Sequence, residues 1–142
     1  MRAVLDTNVL ISAFVFPGGS PEAVYRLALG GGFDLVTSPP LLLELGRVLQ
    51  QKFEWEPAMA EAAVRQVARI STIVEPAATV SDVEDDPADN RVLEAAAEAN
   101  ADAIVTGDRH LLNLETWRGI PILPPARFVG GQGRERGEPP LG

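Results

Sequence analysis

A chain of 142 residues, 46% hydrophobic and 23% charged, is long enough for one domain with a proper core and too apolar for wholesale disorder. It has no cysteine, which excludes disulfides, thiolate metal sites and a cysteine nucleophile, so any metal must be held by oxygen or by His110, the single histidine. A formal net charge of -8 makes it a poor general binder of polyanions, and a nucleic-acid partner needs a local explanation.

The chain starts with one Arg, a short apolar run and then Asp6, too little for a signal peptide or a membrane span, so a cytoplasmic protein with no membrane partner is expected. Residues 3–5 read as a buried strand that runs directly into Asp6, Thr7 and Asn8, and a second apolar run, residues 9–11, leads to Ser12. After a Pro-Gly-Gly loop, Ser20 and Pro21 give a cap-then-proline helix start, and Val24, Leu27 and Ala28 recur at helical spacing until Gly30. Residues 33–36 form a second strand, followed by Thr37, Ser38 and Pro39 as another helix start. The helix that follows carries Leu41, Leu42, Leu43, Leu45, Val48 and Leu49, apolar almost all round at its beginning and therefore expected to be largely buried. Glu44 interrupts that run. Met59, Ala63, Val67 and Ile70 mark a further amphipathic helix with Arg65 and Arg69 on a different face, Ile73 and Val74 a third strand, and residues 75–84 a linker.

The stretch DDPADNRVLEAAAEANADAIVTGD, from Asp85 to Asp108, then reads as helix followed by strand. Asp86 before Pro87 is expected to be the N-cap, Asp89 falls in the first turn, and residues 103–105 are a buried parallel strand ending at Thr106. Gly107 turns the chain into Asp108. A short helical turn over residues 110–114 and a last strand over residues 120–123 follow. Residues 1–129 are assigned to the folded domain, and residues 130–142, GGQGRERGEPPLG, without periodicity and rich in Gly and Pro, to a flexible tail. Alternating strands and helices predict an α/β fold, a three-layer sandwich whose central, mostly parallel sheet is flanked by helices.

In such a sheet, strand C-terminal ends and helix starts share one edge, which brings Asp6, Glu44, Asp89 and Asp108 toward a common crevice. Each acid alone has a plainer explanation. Asp6 can cap the segment after it, Asp89 can answer the helix dipole for about 0.3–1 kcal/mol, and Asp108 after a glycine is an ordinary turn residue. Glu44 within a leucine-rich helix is costly unless paired, and Arg47 one turn on could pair with it. The conjunction points elsewhere, because several carboxylates converging on one crevice repel each other and normally need a cation between them. Mg2+ or Mn2+ suits oxygen ligands, and retained water is then available as a nucleophile.

The motifs AVLDTNVLISAF, the Glu in SPPLLLELGRVL, the DPADN helix start and IVTGDRHLL occur in the order found in PIN-domain nucleases. Over roughly residues 1–129 the sequence resembles that family, and within it the VapC-like branch of toxins of toxin–antitoxin systems. The resemblance implies a divalent-metal endoribonuclease, with Mg2+ or Mn2+ as cofactor and RNA as substrate, often held inactive by an antitoxin protein. It places Asp6, Glu44, Asp89 and Asp108 on the family's metal-binding, catalytic acids and Asn8, Asp86, Asn90 and Thr106 on supporting polar positions. Arg91, Arg109 and His110 flank the acids and are candidates for phosphate contact. A homodimer is expected chiefly from the family, and weakly from apolar Phe14, Val15 and Phe16 read as exposed.

Two other acid-bearing α/β families fit poorly. A haloacid-dehalogenase-like phosphatase needs a second Asp where this chain has Asn8, and a response-regulator receiver needs a lysine at the last strand, whereas Lys52 lies in the third helix region. Two alternatives stay open: a non-catalytic interaction module whose acidic crevice binds a basic partner, and a PIN-type RNA-processing nuclease outside toxin–antitoxin systems.

Overall fold

A computed structural model describes residues 1–83 and 87–135. In chain order the elements are β1 (Arg2–Leu5), α1 (Thr7–Val15), α2 (Ser20–Leu29), β2 (Asp34–Thr37), α3 (Pro39–Gln51), α4 (Pro57–Ile70), β3 (Thr72–Ile73), α5 (Pro87–Ala99), β4 (Ala103–Val105), α6 (Arg109–Leu112), β5 (Thr116–Trp117), β6 (Ile120–Leu123) and α7 (Pro125–Glu135). The strands form one sheet in the order β3-β2-β1-β4-β6-β5. All neighbours are parallel except β5, which returns antiparallel to β6. Arg118 and Gly119 join that pair, both at positive φ (50° and 81°), as a two-residue type I′ hairpin requires.

The central strands are buried on both faces, as parallel sheets require, and side-chain alternation divides the core in two. Ala3, Leu5 and Val105 face a cluster built by α1, α2, α3, α4 and α7, whereas Val4 and Ile104 face Val92, Leu93 and Ala96 of α5 and Leu111 of α6. This is the expected three-layer sandwich. The chain moves outward from β1 to β2 and β3, then returns to β4 on the other side of β1. The β1–β4 junction is therefore the switch point at which open α/β sheets leave a crevice beyond the strand C-termini.

Four features depart from the sequence reading. The buried stripe of α3 is Leu41, Leu45 and Leu49, at spacing four, and Leu43 lies on the far side, 75% exposed; a leucine run hides the helical period. Gly19 caps α2 and Ser20 is its first residue. Helix α7 runs through Gly130 and Gly131 to Glu135, six residues into the stretch read as a tail. Each helical glycine costs roughly 1 kcal/mol, so GGQGRE carries no helical signal of its own. Anchorage comes from Phe128, 1% exposed, whose ring meets Phe33 edge-on at 5.0 Å. Phe14 and Val15 pack against the core, and of the apolar trio at the end of α1 only Phe16 is exposed, set edge-on to Phe53.

Candidate active site

Asp6 follows the last residue of β1 and caps α1, with its Oδ1 accepting from the Asn8 amide at 3.4 Å. Its own amide donates to the Val105 carbonyl at 2.9 Å, which ties the ends of β1 and β4 together. Asp6 Oδ2 accepts from the Thr106 hydroxyl at 2.7 Å, and Thr106 Oγ1 in turn accepts from the Asp108 amide at 2.9 Å. Across the turn, Asn8 Oδ1 accepts from the Gly107 amide at 3.3 Å. Asp108 caps α6 through the His110 amide at 2.7 Å. The local capping roles of Asp6 and Asp108 are thus real, and they fix both carboxylates at the crevice.

Burial pushes the Asp6 carboxyl up from 3.8 to about 6, against hydrogen bonds from Thr106 and Asn8 that pull it down, while the charges of Glu44 and Asp108 raise it further. Two of the other three acids therefore act electrostatically on Asp6. Glu44 is only half-buried, so its cost is smaller than a buried leucine helix suggests, and Arg47 donates to Gln51 Oε1 at 3.5 Å. Asp89 is buried in the first turn of α5. Because α5 runs into β4, that turn lies at the edge where β4 ends.

Asn90 and Arg91 do a different job. Asn90 Oδ1 accepts from the Val83 amide at 2.9 Å and its Nδ2 donates to the Val83 carbonyl at 2.7 Å. Arg91 pairs with Glu94 at 2.9 Å and donates to the Val80 carbonyl at 3.3 Å. Both fasten the linker onto α5. Arg109 and His110 are exposed beside Asp108. Asp86 lies outside the described residues.

The strand register adds residues that the sequence reading treated only as helix-start signals. Val4 pairs with Val36, so Asp6 falls opposite Ser38 on one side, as it falls opposite Thr106 on the other. The Thr37 and Ser38 hydroxyls, and that of Thr7, are buried without a hydrogen-bond partner among the described residues. Leaving such a group unmade costs about 1–3 kcal/mol. The only hint in the sequence is a Thr-Ser pair at a strand end, and Ser38 does not make the cap bond that its position suggests.

An all-oxygen donor set fits Mg2+ or Mn2+, and the mutual repulsion felt by Asp6 together with the unengaged Ser38 hydroxyl fits a cation or its water nearby. Among the described residues no three Asp, Glu or His side chains are placed so that they could hold one ion between them. A groove of about 510 Å3 between α3 and α4 contains none of the four acids.

A PIN-domain family model matches residues 2–110. An uncharacterized protein of Methanocaldococcus jannaschii is 30% identical over 118 residues, covering 80% of this chain and 75% of that protein. Among solved structures, a chain of VapBC2 from Rickettsia felis, crystallised bound to a DNA fragment from their promoter, superposes with a TM-score of 0.63 over 87% of this chain and 98% of its own at 15% identity. At that identity the likeness concerns the fold.

Proposed function

The chain belongs to the PIN-domain family of nucleases, and from that premise we propose that it is a divalent-metal-dependent endoribonuclease acting as the toxin of a toxin–antitoxin pair. The observation that carries the reading is the buried Asp6 carboxyl, raised to about 6 by burial and by Glu44 and Asp108, at the switch point of the sheet. Asp6, Glu44, Asp89 and Asp108 would hold Mg2+ or Mn2+. When bound, such an ion supplies the positive charge that polarises the phosphate and favours attack by water.

The chain's own residues set the rest. Thr106 holds Asp6 in one rotamer and Asp108 in register with it, and Asn8 pins the Gly107 turn between them. Arg109 and His110 stand exposed at the rim, where they can meet a phosphate. With a net charge of -8, the protein gains little from tracking a long phosphate backbone, so substrate contacts are short and local. No described helix is long and apolar enough to cross a membrane, in keeping with a proposed cytoplasmic site of action.

Purified protein should degrade RNA with Mg2+ or Mn2+ and lose that activity in EDTA; cleavage that survives complete chelation excludes the mechanism. The antitoxin partner rests on the fold shared with the VapBC2 chain. A small neighbouring reading frame encoding a DNA-binding protein would support it, and its absence would favour an RNA-processing nuclease of the same family. The homodimer is tested by light scattering, where a monomer at all practical concentrations removes it.

A further inference from the structure

Beside the acids lies a recess of about 210 Å3 walled by Asn8, Val9 and Ser12 of α1, Pro21 of α2, Gly107 of the β4–α6 turn and Pro125 of α7. Gly107 separates Thr106 from Asp108, so the recess opens directly next to the crevice. Its polar groups have capacity to spare. Asn8 Oδ1 takes the Gly107 amide, and because that partner is a donor, it fixes which end of the side chain faces the turn. Asn8 Nδ2 and the Ser12 hydroxyl have no acceptor or donor among the described residues. The two proline rings supply apolar walls.

We propose that this recess is a nucleobase subsite, which receives one unstacked base next to the phosphodiester to be cut and reads a carbonyl oxygen on its edge. The inference rests on the ribonuclease reading and names what that site selects. Sequence-specific recognition of RNA targets splayed single-stranded bases, gripped by contacts to the ring face and hydrogen bonds to the edge. Here the Pro21 and Pro125 rings give the apolar contact, and Asn8 Nδ2 and Ser12 Oγ give the hydrogen bonds. The recess lies below the roughly 300–1,000 Å3 of pockets for drug-sized ligands, a size for one ring system. Uracil is the best match, being small and carrying two carbonyl acceptors. An acidic protein also needs such a contact, because it forgoes most of the affinity that basic proteins draw from phosphates.

The test uses single-stranded RNAs identical except for U, C, G or A at each position flanking the cleaved bond, with Mn2+ present. Wild-type protein should prefer U over A at one flanking position by about tenfold in kcat/KM, the scale of one good base contact. Ser12→Leu, which fills the recess, should bring that ratio to about twofold or less, and Ser12→Ala should reduce it in part. Equal cleavage of all four RNAs by the wild type, or a preference unchanged in Ser12→Leu, overturns the subsite. A second measurement separates this from the nuclease reading. In isotope-labelled protein with EDTA, uridine 3′-phosphate should shift the Asn8 side-chain amide and the Ser12 backbone amide more than adenosine 3′-phosphate does. Such shifts in a protein that cuts no RNA keep the base site and remove the reaction; their absence overturns the base site.

Discussion

The crevice at the strand ends and the outer face of α5 are both polar, yet their residues are used in opposite ways. On α5, Asn90, Glu94 and Glu98, spaced by four, accept the amides of Val83, Val80 and Ala77, spaced by three, at 2.9, 2.8 and 3.0 Å. The linker, which pairs with no strand there, gets its hydrogen bonds from this side-chain ladder, and Arg91 balances the buried Glu94. At the crevice, the charges of Glu44 and Asp108 bear on the buried Asp6, and the Thr7, Thr37 and Ser38 hydroxyls are left without partners among the described residues. Satisfied polar groups serve the fold. Groups kept at a cost to stability are those a ligand can reward.

The sharpest way to break this contrast is to neutralise a crevice acid. Asp89→Asn should lower Mn2+-dependent RNA cleavage by at least on the order of a hundredfold, measured at matched protein concentration, while stability in EDTA holds or rises. An Asp89→Asn protein that still cuts RNA at the wild-type rate would remove Asp89 from the chemistry.

A smaller effect is expected for Asp6 in the metal-free protein. Its folded pKa is raised, so the carboxyl favours folding fully below 3.8, and that contribution is lost as pH climbs toward about 6. The rise from 3.8 to about 6 corresponds to about 3 kcal/mol, at about 1.4 kcal/mol per tenfold. Urea unfolding in EDTA at pH 7 should therefore find Asp6→Asn more stable than wild type, with the gap closing toward pH 4. Asp6→Asn no more stable at pH 7 than at pH 4, each relative to wild type, would contradict the buried-charge account.

The ladder should respond in the other direction. Glu94→Ala leaves the Val80 amide without its acceptor and the Arg91 guanidinium without its charge partner and should cost about 2 kcal/mol of stability, yet preserve cleavage per folded molecule well below the melting temperature. Lost activity with unchanged stability would place Glu94 in the chemistry. Least affected should be Leu43→Gln, within about 0.5 kcal/mol by the same urea assay, because that side chain is 75% exposed.

The α/β order and the places of Asp6 and Asp108 beyond their strands were legible because each rests on a local signal: apolar runs at 3–5 and 103–105, cap-then-proline starts, and an Asp at or just past a strand end. The role of Asn90 was not legible, because its partner is the Val83 backbone, and a side chain bonding to backbone leaves no pattern in its partner's identity. β5 was invisible for a similar reason. Two residues cannot show a period, and Thr116 and Trp117 become a strand only when the Arg118–Gly119 turn folds them against β6. Ser38 shows the converse failure, since a familiar capping signal turned out to flank Asp6 with an unbonded hydroxyl.

The sheet is bounded on each side by a strand of two residues, β3 and β5. An incoming extended peptide would find at most a couple of ladder hydrogen bonds at either border, too few to hold it or to template edge-to-edge aggregation. Neither border of the described sheet therefore suits strand pairing, and a designed binder of this protein is better built as a helix than as a strand mimic.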